Sequence, residues 1–118
     1  IGGWQNCLFS KCTILAIPSF RDRIPVIVDE VTTLVGPGEL IDVIATERGL
    51  CINPKRKDLL KAIKKSSLPI IDIKNLKKEV DEICGGKPSK PKLNKDKIVA
   101  IIKWVDGTVL DSVFQVIK

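Results

Sequence analysis

Thr46-Glu47-Arg48-Gly49 is the stretch best equipped for chemistry, and it follows the apolar run Val43-Ile44-Ala45. A short β-branched run bounded by turn residues is expected to be a buried strand. Open α/β sheets bind ligands outside the carboxyl ends of their strands. A carboxylate there, Glu47, could orient an acyl group or hold an amide. Arg48 could grip a carboxylate or phosphate through two parallel hydrogen bonds. The plainer alternative is an ion pair or cap at the strand end. Arg21 and Arg23 offer the same capacity upstream, though for Arg21 plain surface charge is preferred. Gly2 and Gly3 could bring backbone N–H groups against a thioester or its oxyanion, because no Cβ blocks the approach. On the residues alone a plain Gly-Gly turn before a strand is preferred.

Other chemistries are excluded. The chain has no His, so no Ser/His/Asp triad can form, and no Walker or dinucleotide glycine motif is present. Cysteines stand at 7, 12, 51 and 84, with one close pair and no second. A zinc site needs two close pairs. These cysteines are expected to be small buried hydrophobes in a reducing cytoplasm, with no metal and no disulfide. No run of about 20 apolar residues exists, so no membrane span is expected.

The net charge of +6 is unevenly placed. Residues 1–53 carry 4 basic and 6 acidic side chains, whereas residues 54–97 carry 14 basic and 6 acidic. This lysine-rich middle contains no aromatic residue. Nucleic-acid grooves interleave aromatics with basic groups, so nucleic acid is disfavoured and solvated helix faces are expected. Gripping phosphate and meeting an acidic protein partner are the other uses for the lysines.

Stepping along the chain, residues 12–17 suggest a strand stopped by Pro18, and residues 19–23 a polar loop. Residues 25–35 suggest one or two strands broken by Gly36-Pro37-Gly38. Residues 43–52 suggest a strand kinked at Gly49. Asn53-Pro54 resembles an N-cap followed by Pro in the first helical turn. Leu59, Leu60 and Ile63 then trace a helical face. After a short strand at 68–71, Asp72 opens a second helix with Ile73, Leu76, Val80 and Ile83 on one stripe, stopped by Gly85-Gly86. Strand, helix, strand, helix indicates a layered, mostly parallel α/β sheet. Asp106-Gly107 between two β-rich runs predicts a two-residue hairpin turn. Such a hairpin is marginal alone and must join a sheet or a neighbour. The expected organisation is an α/β unit over residues 1–86, a Lys/Pro-rich linker over 87–97 and a hairpin over 98–118 packing on the sheet. The absence of Met and the opening on Ile1-Gly2-Gly3 suggest a piece of a longer protein.

The order and spacing of several pieces resemble the C-terminal part of the citrate lyase alpha subunit family. They are Gly2-Gly3, Arg23-Ile24-Pro25, Val28-Asp29, Val31-Thr32-Thr33, Pro37-Gly38-Glu39, Asp42-Val43, Thr46-Glu47-Arg48-Gly49 and Ile52-Asn53-Pro54, with Lys103, Asp106-Gly107 and Gln115-Val116 beyond. A weaker form of the pattern is similar to the broader CoA-transferase superfamily. The resemblance implies a CoA-transferase-type fold and a parent that transfers an acyl-carrier-protein or CoA thioester from acetyl to citrate. It implies catalytic roles for Gly2, Gly3 and Glu47, and substrate or cofactor contacts for Arg23, Thr46, Arg48 and Gly49. CoA, or the CoA-like prosthetic group of an acyl carrier protein, would be a substrate and not a covalently bound cofactor.

The implied partners are the remainder of the alpha chain, the citrate lyase beta subunit and the gamma carrier subunit, in an oligomer. Residues 1–118 alone are expected to be inactive. The covalent glutamate of many CoA transferases would lie upstream, and this branch is thought to transfer without a glutamyl thioester. Trp4 and Asn6 depart from the family, which places His and Asp there. Two alternatives stand beside this one: another acyl-CoA transferase or acyl-CoA hydrolase, and a non-catalytic carrier-docking domain.

Overall fold

Short apolar runs between turn residues give short strands in the first half of this chain. The computed structural model describes residues 2–87 and 89–117. Helix α1 spans Gly2–Leu8, followed by β1 (Ile14–Ala16), β2 (Phe20–Arg21), β3 (Ile24–Pro25), β4 (Val43–Thr46) and β5 (Gly49–Ile52). Helices α2 (Lys57–Ala62) and α3 (Ile73–Cys84) come next, then strands β6 (Leu93–Lys103) and β7 (Val109–Val116). The result is a mixed α/β chain that divides into two compact units. One holds residues 2–28 and 38–87; the other holds 29–37 and 89–117.

In the first unit three strands are ordered β1-β4-β5. β1 runs parallel to β4, with Ile14 opposite Val43, and β4 runs antiparallel to β5, with Thr46 opposite Gly49. Among the described residues this sheet is therefore mixed, with one parallel and one antiparallel strand pair. Residues 43–52 are a hairpin, not one kinked strand. Only Glu47 and Arg48 separate β4 from β5, and a loop that short can join only antiparallel neighbours. Beyond β5 the chain returns through residues 69–71. The Leu50 N–H donates to the Pro69 carbonyl at 2.8 Å, and the Ile71 N–H to the Leu50 carbonyl at 3.0 Å. This makes a parallel bridge at Ile70.

Helix α3 covers this sheet. The Asp72 side chain accepts from the Lys74 and Asn75 N–H groups, satisfying donors that the first turn leaves unpaired. Leu76 and Val80, one helical turn apart, are fully buried. Burial of each is worth roughly 1.5–3 kcal/mol. They pack with Ile27 and Cys51, flanked by Ile17, Phe20, Ile44 and Ile71. Gly85 closes the helix at φ 84°, and the Gly86 N–H reaches back to the Asp81 carbonyl at 2.7 Å. Both ends of α3 match the sequence expectation.

Helix α2 begins later than expected. It starts at Lys57 with Arg56 at the N-cap and no side-chain cap. Asn53 is used otherwise: its Oδ1 accepts from the Lys55 N–H at 3.0 Å, and its Nδ2 donates to the Ile41 carbonyl at 2.9 Å. The Asn53-Pro54 step is thus a turn tied to the start of β4. Residues 26–35 form no strand. Pro25 has no N–H to extend a ladder, and Val28, Val31 and Val35 are exposed.

In the second unit β6 and β7 pair antiparallel, with Leu93 opposite Val116 and Ile102 opposite Asp111, and the register shifts at bulges. The Trp104 N–H donates to the Thr108 carbonyl at 2.8 Å, and the Gly107 N–H to the Trp104 carbonyl at 3.0 Å. Gly107 has φ 88°. The turn is a three-residue loop over 105–107 with glycine in the left-handed region, one residue longer than predicted. β6 starts at Leu93, inside the segment read as linker. The Asp111 carboxylate accepts from the Leu34 N–H at 2.7 Å, and Lys90 pairs with Glu30 at 2.9 Å. These contacts fold residues 29–37 onto the hairpin, so the compact units interleave along the chain and do not follow the 1–86, 87–97, 98–118 division.

Candidate functional site at the tip of the β4–β5 hairpin

The tip is built from its own backbone first. The Thr46 hydroxyl donates to the Gly49 carbonyl at 3.0 Å and accepts from the Arg48 N–H at 3.2 Å. That hydroxyl closes the two-residue loop. Gly49 leaves it at φ 152°, and a Cβ there would lie 2.7 Å from the Pro69 carbonyl oxygen. Only glycine lets β5 approach residues 69–71 this closely.

Glu47 leans onto Ser19. Its Oε2 accepts from the Ser19 N–H at 3.0 Å, and its Oε1 accepts a short bond from the Ser19 hydroxyl. These two bonds hold the Glu47 carboxyl below its ordinary value, with burial opposing and Arg48 adding a smaller effect. The side chain remains 50% exposed. An ionised carboxylate with both oxygens engaged is a poor proton acceptor at neutral pH. Its chemistry is fixed negative charge and position.

Arg48 extends the cluster to α3. Its guanidinium donates to the Glu79 carboxylate through Nη1, and its Nε lies 3.6 Å from Glu47 Oε1. The group also sits 5.8 Å from the Phe20 ring centroid. One cation therefore joins the hairpin tip, β2 and α3. Partly exposed pairs of this kind are each worth about 0–1 kcal/mol, so their main effect is orientation.

The structure brings Thr46, Glu47, Arg48 and Gly49 together at one strand end. Arg23 lies on the β2–β3 turn, exposed. Among the described residues, no hydrogen bond or ion pair links it to this cluster. Gly2 and Gly3 are not a loop: they form the first turn of α1. A first turn has no intrahelical acceptors for its N–H groups, which makes glycine tolerable there. α1 packs against the 3-10 turn at Gly38–Leu40, which feeds the amino end of β4, whereas Glu47 lies past its carboxyl end. Sequence reasoning missed Ser19, Phe20 and Glu79. Ser19 is 28 residues from Glu47, and no periodicity links them; the available signal was a serine directly after Pro18 at the end of an apolar run. Among the described residues, no group of three Cys, Asp or Glu side chains could hold a metal ion, and no helix is long and apolar enough to cross a membrane.

This chain is matched from residue 1 to 116 by the family model for "Citrate lyase, alpha subunit (CitF)". It is 38% identical over 115 residues to the citrate lyase alpha chain of Haemophilus influenzae, covering 98% of this chain and 23% of that protein. It is 38% identical over 104 residues to that of Klebsiella pneumoniae, and 31% over 115 residues to that of Escherichia coli K12. The chain thus spans between a fifth and a quarter of the length of these relatives. A crystal structure from Streptococcus mutans, named as the alpha subunit of citrate lyase in complex with citrate, superposes with a TM-score of 0.93 at 37% identity. That match covers 99% of this chain and 22% of the other. The chain belongs to the citrate lyase alpha subunit family.

Proposed function

We propose that this chain is part of an acyl-transferring alpha subunit. The parent would exchange acetyl for citrate on a thioester of an acyl carrier protein, or of CoA. The carrier sulfur passes from the acetyl carbonyl to a citrate carboxyl carbon, and one oxygen of that carboxylate passes to the acetyl group, which leaves as acetate. The observation that carries this reading is the match along nearly the whole chain to a relative solved with citrate. On this reading β1, β4 and the Ile70 bridge belong to a larger, layered CoA-transferase-type sheet. The Thr46–Gly49 tip faces the thioester cleft, and Arg48 and Arg23 bear on substrate or cofactor. The CoA-like arm of the carrier is a substrate. The partners are the rest of the alpha chain, the beta subunit that cleaves the citryl thioester, and the carrier subunit, in a cytoplasmic oligomer.

The test is Glu47→Gln in the full-length alpha subunit, read by acetate–citrate exchange. Turnover is expected to fall about tenfold or more, each tenfold being about 1.4 kcal/mol of transition-state stabilisation, with little change in melting temperature. A second reading is favoured by one observation: both Glu47 oxygens are engaged by Ser19. On that reading Glu47 is a structural latch. Unchanged turnover together with a lowered melting temperature would establish the latch and remove Glu47 from the transfer site.

A further inference from the structure

We propose that Ser19 is a positioning residue for this site, setting the Thr46–Gly49 tip through the Glu47 carboxylate. The inference rests on the transferase reading above and extends it to a residue that the family pattern did not single out. Ser19 is completely buried, and it is the only polar residue in that class among the described residues. Each of its polar groups has a use. Its N–H and hydroxyl both go to Glu47, and its carbonyl accepts from the Val26 N–H at 2.9 Å. One residue along, Phe20 lies beneath the Arg48 guanidinium.

A buried hydroxyl without an acceptor is unfavourable, and alanine would occupy the position without that liability. The serine is therefore matched to the carboxylate and not to the core. Two donors from one rigid residue fix both carboxylate oxygens, so the Glu47 side chain loses its rotational freedom. Preorganised charge of this kind costs no rearrangement during reaction. The other charged groups facing Glu47 are Arg48 from the tip itself and Glu79 from α3, the latter acting through Arg48.

The experiment is a double-mutant cycle in the full-length alpha subunit, with acetate–citrate exchange as the readout. Ser19→Ala is expected to lower kcat about tenfold with KM nearly unchanged. It should also move the acid limb of the pH–rate profile to higher pH, because the carboxylate loses a donor that favours its ionised form. In the Glu47→Gln background, Ser19→Ala should cost no more than about twofold, since residues acting as a unit are non-additive. Ser19→Cys keeps a similar volume and a weak donor. It should retain more turnover than Ser19→Ala, and it supplies the measurement if the alanine variant does not fold. Equal turnover for the alanine and cysteine variants, an unmoved acid limb, or full additivity with Glu47→Gln would overturn the proposal. If Glu47→Gln exchanges at the parent rate, the transferase reading of the tip falls and takes this inference with it. If Glu47→Gln is slow and Ser19→Ala is not, the inference falls alone.

Discussion

Gly49 is where a single missing carbon decides the most. At φ 152° its Cβ would meet the Pro69 carbonyl oxygen at 2.7 Å and Ile71 Cγ2 at 3.0 Å. The first contact is with backbone, which cannot swing aside. Gly49→Ala should therefore push residues 69–71 away from β5 and weaken the bonds from Leu50 to Pro69 and from Ile71 to Leu50. Strain of this kind costs on the order of 1–3 kcal/mol. For a chain of this size that corresponds to a fall of roughly 4–8 °C or more in melting temperature. An alanine variant that melts with the parent would show that the approach at Pro69 is not needed. The sequence marked Gly49 as a special backbone position, because glycine after an apolar run is a local signal, but read it as a kink within one strand. It did not show why. The Pro69 carbonyl is 20 residues away, and the constraint is a close approach, not a turn. Ser19 is the same kind of case, legible as a loop residue and illegible as the partner of Glu47.

At the scale of elements, α3 was the most legible because all of its determinants are local. A side-chain cap, an i, i+4 apolar pair and a left-handed glycine stop occupy fixed offsets. Asp72→Ala should remove the side-chain acceptor for two backbone N–H groups at the helix start and cost about 1 kcal/mol. Hydrogen exchange of the Lys74 and Asn75 amides is the direct measure, since both should lose protection while Val80 stays slow; unchanged protection would mean that the helix start is held by something other than the cap. The hairpins were legible as reversals but not in detail. At 105–107 the glycine was placed correctly and the loop is one residue longer, because the Asp106 carboxylate bonds the Thr108 N–H at 2.9 Å and extends the turn. At Glu47-Arg48 the reversal was missed, since neither residue is a turn former and the loop is closed instead by the Thr46 hydroxyl. The apolar run at 26–35 failed for the opposite reason. Its composition suits a strand, but Pro25 ends the ladder and the following residues attach through side chains such as Asp111.

For the molecule as a whole, acid sensitivity should be spread over both compact units. In one, Asp42 is held below its usual value by the Thr13 N–H and then by Arg56, and Glu47 by Ser19. Asp58 in the same unit is held down to about 2, chiefly by its bonds to Arg56. In the other, Lys90 lowers Glu30, Thr108 lowers Asp106, and the Leu34 and Ser112 N–H groups lower Asp111. Each of these carboxylates is a stronger acid folded than unfolded, where values near 4 apply. The folded state therefore gains stability wherever the unfolded groups are ionised, above about pH 4–5. That gain is lost as pH falls through the folded values, toward about 2 for Asp58. The chain contains no His, so no imidazole titrates between pH 5 and 8. Melting temperature should accordingly be level from pH 8 to 5 and fall steadily between pH 4 and 2. Added salt should blunt the part due to exposed pairs such as Lys90–Glu30 and leave the Asp42 and Glu47 backbone bonds in force. Thermal unfolding across that range, at low and high ionic strength, tests both statements. A melting temperature at pH 2.5 equal to that at pH 7 would mean that these carboxylates are as well solvated in the unfolded chain as they are bonded in the folded one, and that the Ser19 bonds to Glu47 add no net stability.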